Sequence, residues 1–124
     1  MEPTLSPHND AFPEMRELTW SPAEKAVARR VFERALQAEL QEIMQEARRR
    51  AAAIRDSDQL WELEAYIKRS REQIDRKYNY RYSVLPQVFG ILISEARVSE
   101  TELDELREDK LHYIRSAAGV HQAP

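Results

Sequence analysis

The stretch from Leu60 to Tyr78 contains neither glycine nor proline, and its apolar residues fall at 60, 63, 67, 74 and 78. That spacing is the stepping of one face of an α-helix. At 1.5 Å per residue such a helix is roughly 28 Å long, a large element for a chain of 124 residues. Ser70 interrupts the stripe, and two residues costly to leave idle, Trp61 and Arg71, lie along its edge. The stretch therefore reads as an interface: Leu60, Leu63, Ile67 and Ile74 form a seam, while Trp61 and Arg71 flank it.

The residues before it predict what this helix lies against. Ser21-Pro22-Ala23-Glu24 is a helix start: serine caps, proline fits the first helical position, and glutamate three residues on completes a capping box. The apolar period then continues past Val27, Phe32, Leu40 and Ile54 with no breaker before Asp56, predicting a helix over 22–55 of roughly 50 Å. Asp56 or Ser57 caps the next helix, expected over 58–80. So short a connection makes the two helices antiparallel neighbours. One hairpin of that length cannot cover both apolar stripes, so self-association, a homodimer through the long helices, is expected.

Beyond the hairpin, Asn79-Tyr80-Arg81-Tyr82 marks a turn. The apolar group from Val84 to Ile93 predicts a helix over 84–96, with Ser83 as cap and Pro86 at the third helical position. A strand over 88–93 would have no partner strand. Ser99-Glu100-Thr101-Glu102 is a second capping box, opening a last helix over 100–117 that Gly119 stops. Residues 1–18, with three prolines and no period, read as a disordered tail, and 119–124 as a frayed one. The expected fold is all-α: one domain over 19–118, built as a long antiparallel helical hairpin plus a small two-helix head.

Several functions find no support in these residues. The formal net charge of −3 is too balanced for a nucleic-acid or membrane-surface binder, and the absence of cysteine removes disulfides, thiolate nucleophiles and Cys-bearing zinc sites. The N-terminus lacks a signal-peptide pattern and no apolar run approaches ~18 residues, which predicts a cytoplasmic protein without integral membrane association. His8 and His121 fall in the expected tails. His112 has Glu108 and Asp109 within one turn, but a di-metal helical site needs such motifs from two helices. Arg48-Arg49-Arg50 with Arg55 fans around a helix rather than forming a basic row. Ser70 has no histidine beside it, and there is no glycine-rich phosphate loop. The expectation is a non-enzymatic protein without metal or cofactor. Trp61 is the kind of group that anchors interfaces, and the planar fork of Arg71 suits a carboxylate on a partner chain.

Trp20-Ser21-Pro22-Ala23-Glu24, Phe32-Glu33-Arg34-Ala35, Glu39-Leu40, Leu60-Trp61-Glu62-Leu63, Ile74-Asp75-Arg76-Lys77-Tyr78, Val88-Phe89 and Asp109-Lys110 occur in this order along the chain. In this ordered combination the chain, from about Trp20 to Ala117, resembles the cyanobacterial fluorescence recovery protein family. The resemblance implies a homodimer formed through the long helices. It also implies a regulator that binds the light-activated orange carotenoid protein and speeds its return to the inactive state, ending quenching of the phycobilisome antenna. In a cyanobacterium it would work at the cytoplasmic face of thylakoids.

Residue by residue, Trp61 and Arg71 match the family's interface positions, and Phe89, Asp109 and Lys110 match head residues expected to contact the partner. The family's His-Asp pair is here Glu64-Ala65, a head aromatic is Gln87, and a basic head residue is Tyr113. Two readings stay open on the sequence: a regulator of an orange carotenoid protein-like target, or a divergent homologue whose same dimeric scaffold binds another partner in signalling.

Overall fold

In the computed structural model, which describes residues 12–122, every regular element is helical. Helix α1 spans Pro22–Ala52, α2 Ser57–Lys77, α3 Leu85–Ser94 and α4 Glu108–Gln122; short 3-10 turns occupy Met15–Glu17 and Glu100–Leu103. The fold class matches the expectation, a hairpin followed by a two-helix head.

Helix α1 starts as its sequence dictates. The Ser21 hydroxyl accepts from the Glu24 N–H at 3.1 Å, and the Glu24 carboxylate accepts from the Ser21 N–H at 2.9 Å. It ends at Ala52, short of the expected residue 55, because Arg55 and Asp56 are taken up in starting the next helix. Asp56 is the cap of α2, accepting from the Gln59 N–H at 3.0 Å, while the Gln59 side chain accepts from the Arg55 N–H at 2.6 Å. The helices run antiparallel. Arg50, near the end of α1, stacks on Tyr66 at 4.3 Å, whereas Glu39, farther back, meets Lys77 at 2.8 Å.

α2 stops at Lys77 rather than near Tyr80. Tyr78, Tyr80 and Tyr82 explain why. A helix would spread these alternate residues around its circumference; the irregular segment instead brings their rings together. Tyr78 and Tyr80 both meet Phe32 edge-on, at 5.4 and 4.8 Å, and Tyr82 lies between Tyr80 and Trp20, at 5.5 and 5.3 Å.

The head core is shared by the first half of α1, by α3 and by α4, with Phe32, Phe89, Leu92, Leu103 and Ile114 at its centre. α3 is shorter than expected: Val84, not Ser83, precedes it without a side-chain cap, and Pro86 takes the second helical position. Its close approach to α4 depends on Gly90, where a Cβ would sit 2.8 Å from the Ala118 backbone nitrogen. After α3 the chain reverses through Ala96 at φ 60°, with the Arg97 and Val98 N–H groups both donating to the Leu92 carbonyl.

The largest correction concerns the last helix. Residues 100–117 do not form one helix; the Ser99–Glu102 capping box closes only a 3-10 turn, and α4 begins anew at Glu108. Glu24, on α1, accepts from the Arg107 N–H at 2.9 Å. A carboxylate therefore sits at the positive end of α4, where it satisfies an orphan N–H. No local pattern can reveal a cap that arrives from another helix. α4 also runs through Gly119 to Gln122 instead of stopping there, since Gly119 has helical backbone and open space around it.

The expected N-terminal tail is likewise corrected over its described part. Leu18 is buried, Phe12 stacks on His112 at 5.0 Å, and the Tyr113 hydroxyl donates to the Pro13 carbonyl at 2.6 Å. His8 and Leu5 lie outside the described residues.

Candidate protein-interaction surface

Helix α2 is amphipathic but nearly unburied. Ser70 is its only buried residue; Leu60 is 43%, Trp61 58% and Ile67 46% exposed. Leu63 and Ile74 are half-buried. Leu60, Trp61, Leu63, Glu64, Ile67, Lys68 and Arg71 line a shallow open trough of about 560 Å³. The structure thus brings together five of the six residues read from the sequence as seam and edge, Leu60, Leu63, Ile67, Trp61 and Arg71; Ile74 lies beyond the trough's end. Such a continuous exposed apolar strip has the character of surfaces through which proteins associate. Arg71 is poised at its edge: its nearest carboxylate, Asp75, is 3.8 Å away and both side chains are mostly exposed. A weakly held guanidinium beside a tryptophan can accept a carboxylate from a second chain.

The C-terminal end of α2 is fastened by charge. Glu39, a buried residue of α1, accepts from Lys77 at 2.9 Å and from the Tyr78 hydroxyl at 2.8 Å, and lies 3.2 Å from the Arg97 guanidinium. Burial, reinforced by the bond to Glu39, pushes the Tyr78 phenol well above its ordinary range. Arg97 also grips Glu42 through two bonds at 2.9 and 3.1 Å, and Lys77 reaches Glu95 at 2.7 Å. The cluster ties both hairpin helices to the end of α3. Reasoning from sequence missed it, because its members come from four segments; the only local signal was the alternation of Tyr78, Tyr80 and Tyr82.

The head residues are placed differently from expectation. Phe89 is fully buried in the core, and Lys110 is 1% exposed, paired with Glu24 at 3.1 Å and Asp109 at 3.2 Å. Neither presents its side chain to a partner, so the contact role expected of them is corrected to one of shaping the head. Asp109 is half-buried with its carboxylate held by Lys110. Gln87 is exposed and Tyr113 half-buried.

The remaining candidates resolve into local charge pairing. Hydrogen bonds from Arg49 and then Arg50 hold the half-buried Glu46 carboxyl down to about 2, so two arginines of the run are folded onto one acid. His112 lies against the rings of Phe12 and Tyr113. Among the described residues no cluster of His, Cys, Asp and Glu could hold a metal ion, and no helix is long and apolar enough to cross a membrane.

Fold and surface together define an all-helical interaction protein: a compact head carrying a long hairpin whose second helix offers an unpartnered apolar face. Residues 20–118 match the family of the photoprotection regulator fluorescence recovery protein. The fluorescence recovery protein of Synechocystis sp. (strain ATCC 27184 / PCC 6803 / Kazusa) is 36% identical over 102 residues, 82% of this chain and 94% of that relative. The solved structures of the fluorescence recovery proteins from Fremyella diplosiphon and from Synechocystis sp. PCC 6803 each superpose with a TM-score of 0.77 at 36% identity, covering 81% of this chain and 98% of theirs. The chain belongs to the fluorescence recovery protein family and is a regulator of that type.

Proposed function

We propose that this protein works without catalysis, as a homodimer closed over the α2 stripes, and that it binds the light-activated form of an orange carotenoid protein and speeds its return to the inactive state. The observation that carries the reading is the strip of exposed Leu60, Trp61 and Ile67, with half-buried Leu63 between them, on a family scaffold. A second copy of the same strip is its natural cover, since a two-fold interface places the same patch on both subunits. Faster recovery requires that the regulator favour not only the closed target but also the barrier state leading to it. The setting that fits is the cytoplasm, at the thylakoid face where the antenna lies.

One observation favours a second reading, a homologue that keeps the scaffold and binds another partner. Glu64, which stands where the family has histidine, lines the trough itself, and Ala65 beside it has lost a carboxylate. The edge of the surface is therefore altered in charge while its apolar floor is intact. Mixing the purified protein with photoactivated orange carotenoid protein and timing the red-to-orange decay separates the two. Acceleration supports the first reading; an unchanged rate with a stable dimer supports the second.

A further inference from the structure

Exposure divides the circumference of α2. Leu63, Tyr66, Ser70, Ile74 and Lys77 are buried or half-buried, whereas Leu60, Glu64, Ile67 and Arg71 are exposed and all four line the trough. The exposed four follow one another at steps of four, three and four residues, the stepping of a coiled-coil contact line. At 3.6 residues per turn they fall within an arc of about 60°. Ile74 continues the stepping three residues past Arg71. The outer line of the helix therefore runs apolar, acid, apolar, base, apolar.

The two charges on this line cannot satisfy each other within one chain, since seven residues of helix separate them by about 10 Å along the axis. Glu64 has no ion-pair partner among the described residues. Arg71 does have one, Asp75, but its nearest atom, Nε, is 3.8 Å away, and the side chains are 84% and 71% exposed. An ion pair so long and so wet contributes little, and the two terminal nitrogens of the guanidinium remain as further donors.

A second copy of α2 can supply the missing charges in one arrangement. In a parallel pair each residue faces its own copy, so acid meets acid and base meets base. An antiparallel pair with its two-fold axis at Ile67 sets Leu60 against the partner's Ile74 and Ile67 against itself. It also sets Glu64 against the partner's Ser70 and Arg71. Moving the axis midway between Ile67 and either charged residue puts each charge against an apolar residue. Slipping the pair by a whole heptad brings the axis beside Glu64 or beside Arg71, where like charges meet again.

We propose that the trough is covered by the α2 of a second copy, laid antiparallel with the two-fold axis at Ile67, and that Glu64 of each copy holds the partner's Arg71. The inference rests on the proposed dimer and assigns its register and the residues that select it. Two reciprocal pairs flank an apolar centre, as a two-fold interface requires. Their role is to fix orientation and exclude other pairings, while the apolar residues supply the affinity.

The chain contains no cysteine, so single cysteines placed in the full-length protein report the register directly. Ile67→Cys should be joined into a covalent dimer by mild oxidation, because a residue on the axis faces itself within disulfide reach. Leu60→Cys should stay unlinked alone and link when mixed with Ile74→Cys. In sedimentation equilibrium, Glu64→Arg and Arg71→Glu should each weaken the dimer about tenfold, and the two together should return to within about threefold of the wild type. Both residues are exposed in the single chain, and circular dichroism checks that the fold is kept. Linking of Leu60→Cys as readily as Ile67→Cys, or losses that simply add in the double variant, overturns the register and leaves the dimer standing. A wild-type protein that sediments as a monomer throughout overturns the dimer itself.

Discussion

The Glu24 carboxylate and the Lys110 ammonium meet at 3.1 Å with side chains 3% and 1% exposed, joining the first turn of α1 to α4 inside the head. Glu24 serves three structures at once: it completes the capping box at Ser21, it caps α4 at the Arg107 N–H, and it neutralises Lys110. Burial alone would raise its pKa, but the backbone bonds from Ser21 and Arg107, with Lys110, outweigh burial and hold it below the ordinary glutamate range.

Removing one partner of this pair strands the other. Lys110→Met should destabilise the protein by about 3–5 kcal/mol, as a lone carboxylate in the interior does. Adding Glu24→Gln to it should recover part of the loss, because the amide oxygen can still accept from a backbone N–H. Urea denaturation of the single and double variants checks both. The sign of the pH dependence comes from the depressed pKa: this contribution is complete above the glutamate range and disappears as pH falls through the folded-state value. Acid unfolding of the wild type, followed by circular dichroism, should accordingly lose its Glu24-dependent part in Glu24→Gln.

Gly90→Ala should cost about 1–3 kcal/mol. The new methyl would press on α4 at Ala117 and on the Ala118 backbone, and only separation of the two helices relieves it. Thermal melts should show a lowered midpoint, while the same change at the open Gly119 should be neutral or slightly stabilising.

Leu60→Glu is expected to separate the proposed dimer without unfolding the protomer. Leu60 is exposed in the single chain, so the charge costs little there, but at a closed seam it is desolvated without a counter-ion. A loss of about 100-fold or more in dimer affinity, about 3 kcal/mol, is the expected scale. Sedimentation velocity, with circular dichroism as the folding control, reads it; an unshifted dimer would rule out the seam.

Tyr78→Phe tests the cluster that fastens the end of α2. It deletes one hydrogen bond to the buried Glu39 carboxylate and leaves the ring against Phe32, so the loss should be about 1.5–3 kcal/mol. Amide exchange should become faster at the end of α2 rather than in α4, since the bond joins the end of α2 to α1 and does not reach α4.

Periodicity and capping were enough to read the hairpin. The Ser21–Glu24 box and the Asp56 cap are written in consecutive residues, and the i, i+3, i+7 spacing of Leu60, Leu63 and Ile67 needs no partner to be recognised. The exposed seam came from the same source, since a stripe that one hairpin cannot cover stays uncovered. What sequence could not supply were the events decided by groups brought together from afar. The break before Glu108 comes from Glu24; the early end of α2 comes from three tyrosines that find Phe32 and Trp20; the burial of Phe89 and Lys110 comes from α1 and α4 closing over them. Capping boxes, hydrophobic stripes and turn residues act within a few residues and are therefore local in the chain. A buried ion pair or an aromatic cluster has an energy set by what surrounds it, and those surroundings exist only once the head has packed.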